Sequence, residues 1–321
     1  MTGTNGPVAA VDCGTNSLRL LVARRSADGR PVDLERRVEL VRLGQGVDAT
    51  AAFHPDALER TAHTCRRYAE VIADHGCRAV RFVATSAARD VRDPSPLVEV
   101  VRESLGVVPE VLTGDQEAAL SFAGAASAHR DGPDPTVVVD CGGGSTELVV
   151  GQRTDLQVDR STSLDVGSVR LRERVLHDDP PTPRQVEQAR RLVAGMLDSA
   201  PVDLATTASA IGVAGTFTTL AAIDLGLREY RRELVDGHVL TTGRVRELTE
   251  RLLAATVSET MAMGPLRPRR AEVISAGALI VCQVMDRLGC GQLSVSEADI
   301  LDGVAATMLG DDTGDDPADG H

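Results

Sequence analysis

The sequence predicts an α/β protein of two similar lobes, each built on a mixed sheet, with a ligand cleft between them. Three observations carry the prediction. The stretch VAAVDCGTNSLRLLVA, Val8 to Ala23, returns as VVVDCGGGSTELVV, Val137 to Val150, at an offset of 128 positions. Each copy is followed by alternating helix-like and strand-like segments, the order of an α/β fold. A chain of 321 residues also exceeds what one core ordinarily organises, so two units are expected.

In register, Val11, Asp12, Cys13, Gly14, Ser17 and Leu20 recur as Val139, Asp140, Cys141, Gly142, Ser145 and Leu148. Each copy is an apolar run, an Asp, a small-residue turn and a second apolar run, which reads as a hairpin. A separation this long points to two facing lobes rather than a short-period solenoid. After the first hairpin, Leu58, Ala62, Cys65, Ala69 and Ile72 fall on one helical face, predicting a helix over His54–His75 that Gly76 stops. A strand at Arg78–Ala84, a helix at Leu97–Leu105 ended by Gly106, a strand at Val107–Leu112 and a helix at Asp115–Ala128 follow. DGPDP, Asp131–Pro135, marks a linker. Beyond the second hairpin, helices are predicted at Pro183–Leu197, Thr216–Leu225, Arg244–Ala255 and Arg269–Leu288. Short strands at Ala210–Ala214 and Gln292–Val295 lie among them. The expected division is one lobe over 1–130, a second over 131–309 and an acidic disordered tail over 310–321.

Composition narrows the function. Aromatic residues are 2% of the chain, too few to offer a stacking platform for single-stranded nucleic acid. The formal charge of −13 disfavours nucleic-acid and membrane surfaces as partners, but leaves room for a locally positive site that takes a small anion. No CxxC pair and no leader-like segment are seen among the six cysteines and the N-terminal residues, so free thiols in a reducing cytoplasm are expected. The apolar run near Val273–Met285 is interrupted by Ser275 and Gln283 and is short for a bilayer.

Several stretches carry candidate chemistry. In DCGTNS, Gly14 permits close backbone approach, and Thr15, Asn16 and Ser17 offer N–H groups and short polar side chains for a phosphate; Arg19 follows on the next strand. The alternative is a plain hairpin turn. In DCGGGSTE, Gly142, Gly143 and Gly144 are costly for a hairpin that only turns. Ser145 and Thr146 add phosphate donors, while Asp140 and Glu147 add hard oxygen ligands, so a Mg²⁺–phosphate site is expected there. Asp12, at the matching mouth of the first hairpin, joins the candidate metal ligands. GVAGTFTTLAAI runs a strand into a helix whose first turn, with Gly215 and Thr216, is an anion site or an ordinary strand–helix turn. LTGDQEAALSF puts Asp115 and Glu117 in the first turn of a helix, either to offset its dipole or to supply a general base. ATSAARDVRD supplies Arg89 and Arg92, and RPRRAE supplies Arg267, Arg269 and Arg270, as phosphate clamps or solvated surface.

Taken together, DCGTNSLRLLVA, ATSAARD, LTGDQEAALSFAGA, VVVDCGGGSTEL, DVGSVRL, GVAGTFTTLAAI, VISAGALIV and VSEADILDG resemble the exopolyphosphatase/guanosine pentaphosphate phosphohydrolase family. They cover about residues 7 to 308. The resemblance implies the two-lobed actin-like ATPase (ribonuclease H-like) fold with the active site between the lobes. It implies Mg²⁺-dependent hydrolysis of a terminal phosphoanhydride, in inorganic polyphosphate or guanosine pentaphosphate. On the matching positions, Glu117 is the implied catalytic base, and Asp140 and Glu147 the acidic metal-associated positions. The two hairpin turns are the implied phosphate loops, with Arg89 a basic contact; Arg19 and Arg270 are further basic candidates. Arg19 stands where the second copy has Glu147, so the first turn is expected to bind phosphate and the second to bind phosphate with a metal. Longer members carry a C-terminal HD-type helical domain that the chain is expected to lack, which suggests short polyphosphate chains. Asp302 stands where the family often has Arg. A non-catalytic alarmone or nucleotide sensor is the alternative of another class. Two-lobed cleft enzymes often dimerise, although no apolar stripe here specifies a homodimer.

Overall fold

The computed structural model describes residues 6–26 and 31–310. The acidic tail expected from residue 310 lies outside these residues, apart from Gly310, which ends a helix.

The first sheet runs β3-β2-β1-β4-β5, from β1 (Val8–Cys13), β2 (Leu18–Arg25), β3 (Pro31–Glu39), β4 (Ala79–Ala84) and β5 (Glu110–Val111). The first three strands pair antiparallel, and β4 and β5 continue parallel to β1. The second sheet repeats that plan with β6 (Thr136–Cys141), β7 (Thr146–Gln152), β8 (Gln157–Leu164), β9 (Ser209–Val213), β10 (Val239–Thr241) and β11 (Gln292–Val295), ordered β10-β11-β9-β6-β7-β8. Here too the hairpin strands and β8 are antiparallel while β9 runs parallel to β6. This is the two-lobed actin-like fold. The sequence repeat is a register repeat as well: Asp12 faces Arg19 across the first hairpin, and Asp140 faces Glu147 across the second. Both central strands are buried on both faces, which is why they read as unbroken apolar runs.

Helices cover both faces of each sheet. The expected helix at His54–His75 is Pro55–Asp74; the expected Cys65 and Ile72 are buried on it, but the face widens to Ala57, Thr61, Thr64, Tyr68 and Val71, and Leu58, Ala62 and Ala69 are half-buried. Thr61 and Thr64 can be buried because their hydroxyls donate to the Ala57 and Arg60 carbonyls. The Tyr68 hydroxyl donates to the Leu18 carbonyl at 2.9 Å. The strand expected at Val107–Leu112 shrinks to two residues, Glu110–Val111.

The two cores do not follow chain order. In the Gly114–Ala128 helix, Ala118, Phe122, Ala125 and Ala126 pack on Val138, Val149, Ile211 and Val213 of the second sheet. In the Ile300–Gly310 helix, Ile300, Leu301, Val304, Ala305 and Leu309 pack on Val8, Ala10, Leu21, Ala23 and Val83 of the first. A cut at residue 130 therefore assigns each helix to the lobe whose sheet it does not cover. The two helices cross in backbone contact: a Cβ on Gly124 would lie 1.9 Å from the Asp299 carbonyl oxygen, and one on Gly303 2.1 Å from that of Leu120. Only glycine fits at this crossing, which ties the lobes together behind the cleft.

Candidate active site

The two hairpin turns close in the same way and meet. Gly14 N–H donates to the Ser17 carbonyl at 2.9 Å, and Gly142 N–H to that of Ser145 at 3.1 Å. Within the first lobe, the Thr15 and Ser86 hydroxyls hydrogen-bond at 2.7 Å. A Cβ on Gly144 would sit 2.5 Å from both of these oxygens, so the third glycine of the run is set by the approach of the opposite lobe. The DVGSVRL segment seats the second turn: Ser168 N–H donates to Gly142 O, and the Val169 and Arg170 amides to Gly143 O. Arg170 then reaches back across the lobes to pair with Asp90.

The turns face a cleft of about 400 Å³. Its walls include Asp12, Gly14, Thr15, Asn16, Ser17, Arg19, Glu117, Asp140, Gly142, Gly143, Ser145, Gly215 and Arg270. Glu117 and Asp115, equivalent on local sequence, are separated by burial: Glu117 is buried in the cleft, while Asp115 is exposed and accepts from the Ser161 hydroxyl. Arg92 is exposed; Arg89 instead sits behind the wall, where its Nη1 donates to Glu117 Oε2 at 2.5 Å and to the Leu112 carbonyl at 3.0 Å. Burial pushes the Glu117 carboxyl up to about 7; the Arg89 charge pulls against this, and Asp140 and Asp12 add to it. Asp140 is pushed up to about 6, again mainly by burial, with Arg19 opposing. Its Oδ2 accepts from the Ser121 hydroxyl at 2.8 Å, one helical turn beyond Glu117. Glu147 lies deeper, its Oε1 accepting from the Ser163 hydroxyl at 2.7 Å. Burial and the Glu117 and Asp140 charges raise it well above the carboxylate range.

Three expectations change. Arg19 is not a free phosphate clamp: its Nε and Nη2 donate to Asp12 Oδ2 at 2.9 and 2.7 Å, and its Nη1 pairs with Asp299. Two carboxylates already hold that guanidinium, so it serves to fix Asp12. The hydroxyls of Thr146 and Thr216 are likewise spent inside the fold, on the Val166 carbonyl at 2.6 Å and the Cys141 carbonyl at 3.0 Å. Asp302 does not leave a gap in charge, because its carboxylate accepts from Arg36 Nη2 at 2.6 Å.

Arg270, like Arg267, lines the cleft with no carboxylate ion pair among the described residues, and of the two it is the one set beside a helix start. Its guanidinium lies against the backbone of Gly215, where a Cβ would come within 2.4 Å of Nη2. Here Ala214 starts the Ala214–Asp224 helix with φ 70, and no side chain caps its first amides. An arginine over uncapped helix amides makes the surroundings favourable to a negative charge.

Among the described residues, no three His, Cys, Asp or Glu side chains converge into a closed metal cage. Mg²⁺ does not require one; it typically binds through one or two carboxylates, waters and substrate phosphates. Asp12 Oδ1 is a buried oxygen without a hydrogen-bond partner among the described residues, and Asp140 lies on the same cleft wall. That donor set fits the ion. Glu147 is behind the wall and suits a supporting place.

Sequence reasoning missed Ser121, Ser163, Ser86 and Asp299. Ser121 had a signal, its four-residue step from Glu117 on one helical face. Asp299 lies in the VSEADILDG stretch, but only the fold brings it to Arg19.

Two lobes of one plan, whose glycine turns meet over buried carboxylates and an arginine, define an actin-like fold with a polar cleft between its halves. Within that fold, the chain belongs to the Ppx/GppA phosphatase family, whose model matches residues 21–311. Exopolyphosphatase 2 of Mycobacterium tuberculosis is 43% identical over 319 residues, covering 94% of this chain and 98% of that protein. The crystal structure of an exopolyphosphatase-like protein matches with a TM-score of 0.90 at 39% identity, over 95% of this chain and 98% of its own. The Ppx/GppA family member of Aquifex aeolicus gives 0.79 at 30% identity, over 96% and 99%. Among the described residues, no helix is long and apolar enough to cross a membrane.

Proposed function

We propose that the protein is an exopolyphosphatase that hydrolyses the terminal phosphoanhydride of inorganic polyphosphate. The observation that carries the reading is Glu117, a buried carboxylate held near neutrality on the wall of a cleft built from two phosphate-type turns. The M. tuberculosis relative named an exopolyphosphatase supports it.

The terminal phosphate binds between the two turns, and Arg270 with the helix amides beside it takes the next negative charge. Glu117 accepts a proton from water as the water oxygen bonds to the terminal phosphorus. The bridging P–O bond breaks, its electrons leave on the shortened chain, and orthophosphate is released. Arg89 keeps Glu117 Oε2 in place, leaving Oε1 for the water. Asp12 and Asp140 would hold Mg²⁺, with Ser121 and Arg19 orienting them; the ion supplies charge neutralisation on the phosphate oxygens.

A second reading, guanosine pentaphosphate, draws on Tyr230, an exposed ring on the cleft wall that offers a nucleobase a face. One assay tests both. Phosphate release is measured from polyphosphates of defined length, guanosine pentaphosphate and ATP, with Mg²⁺ and with chelator. Polyphosphate turnover that vanishes in Glu117→Gln is expected; tight binding without release in the unaltered protein would instead mark a sensor.

A further inference from the structure

The RPRRAE stretch opens the Pro268–Met285 helix, and its three arginines part there. Arg270 enters the cleft and Arg267 lines the cleft wall. Arg269 turns to the other lobe, where its Nη1 donates to the Leu40 carbonyl at 2.9 Å. Leu40 is itself a cleft residue. The next carbonyl, Val41, accepts from Arg60 Nε at 2.8 Å, and Arg60 Nη2 donates to Gln45 at 2.9 Å. Arg42 follows in the left-handed region, φ 53, with its amide on the Asn16 carbonyl at 2.9 Å; Gly44 N–H donates to Thr15 O at 2.9 Å. The Leu40–Gln45 segment is thus clamped onto the first phosphate turn, with three guanidiniums around it.

Those three charges are poorly balanced. The nearest carboxylate contact is Glu272, 3.4 Å from Arg42 Nη1, and both side chains are about a third exposed. Burial, and then the Arg269 and Arg42 charges, hold the Arg60 guanidinium below the ordinary arginine range. The three guanidiniums repel one another, offset in part by Asp56 beside Arg60 and by Glu173 and Glu272 beside Arg42, and an anion would relieve that repulsion. Guanidinium forks match phosphate oxygens in pairs. The cluster stands one residue outside the cleft wall, reached through Leu40 and Arg267, and it draws Arg42 and Arg60 from one lobe and Arg269 from the other.

We propose that Arg42, Arg60 and Arg269 form a second anion site on the rim of the cleft, which takes the part of a polyphosphate chain beyond the phosphates held inside. The inference rests on polyphosphate being the substrate. Chains long enough to reach the rim are bound by both lobes at two places, and chains too short to reach it lose that contact.

The test compares tripolyphosphate with a chain of a few tens of phosphates, for the unaltered protein and for Arg42→Gln, Arg60→Gln and Arg269→Gln. For the longer chain, KM is expected to rise roughly tenfold per variant, and its dependence on salt to flatten. For tripolyphosphate, kcat/KM should stay within about twofold, since no residue inside the cleft changes. Equal losses on both substrates, or no change on the longer one, overturn the site. Arg60→Gln and Arg269→Gln also remove bonds to the Val41 and Leu40 carbonyls. If either fails to fold, Arg42→Gln decides, because among the described residues its side chain makes no bond to the backbone of the segment, only a loose contact to Glu272 and a charge interaction with Glu173. Should the unaltered protein release no phosphate from either chain, the substrate reading fails separately. Direct binding of labelled long-chain polyphosphate then judges the rim, and binding unchanged in Arg42→Gln overturns it.

Discussion

Replacing Glu117 by Gln should make the metal-free protein more stable at pH 8 while removing its activity. The folded state holds the Glu117 carboxyl near 7 against an ordinary 4.5, mainly by burial. Between those values the folded protein binds a proton that the unfolded chain has released, so stability falls as pH climbs through the interval. Once the pH is above 7, the burial of that charge costs about 3 kcal/mol, with the opposing pull of Arg89 already included. Gln matches the protonated acid in shape and keeps an acceptor for Arg89 without the charge. The melting temperatures of the two proteins should therefore lie within about 1–2 °C at pH 5 and separate at pH 8, the variant lying higher by about 5 °C for a chain of this size. Calorimetric melts in chelator at both pH values give the comparison. A variant less stable at pH 8 by the same margin as at pH 5 would show that Glu117 is an ordinary ion-pair partner of Arg89, and the argument for a poised base would fall with it.

Other perturbations separate the parts of the site. Gly215→Ala places a methyl against the Arg270 guanidinium, so KM should rise about tenfold while thermal stability barely moves; steady-state kinetics beside a melt would check this. Arg19→Met leaves Asp12 and Asp299 buried without their cation, and denaturant unfolding should show a loss of about 3–5 kcal/mol. Ser121→Ala frees Asp140 from its hydroxyl partner; the Mg²⁺ affinity read by titration calorimetry should weaken roughly tenfold or more, and an unchanged affinity would remove Asp140 from the ion's binding set.

Much of this was legible in the sequence where local pattern and tertiary demand agree. The two hairpins were, because β-branched runs and glycine turns are short-range signals and the copies fall in identical register. Glu117 needed more: its chain neighbour Asp115 carries the same local signal, and only burial against the second sheet separates them. Arg19 misled because its place in the motif says nothing of Asp299, which lies 280 residues away. The added width of the buried face on the Pro55–Asp74 helix has a similar cause, since threonines count as polar until their hydroxyls are seen bonding their own helix. Most hidden of all was the exchange of helices between the lobes. The apolar faces of Gly114–Ala128 and Ile300–Gly310 are plain, but nothing in their periodicity names the sheet each one covers.

That exchange bears on how the protein is made. The strands of the first sheet emerge early from the ribosome, yet Val8, Ala10, Leu21 and Val83 gain their cover only when Ile300, Leu301 and Val304 have been synthesised. For most of translation, one apolar face of the earliest sheet stays wet. A nascent chain stalled before residue 300 should therefore present that face to chaperones or to other chains. The lobe begun first is the one finished last.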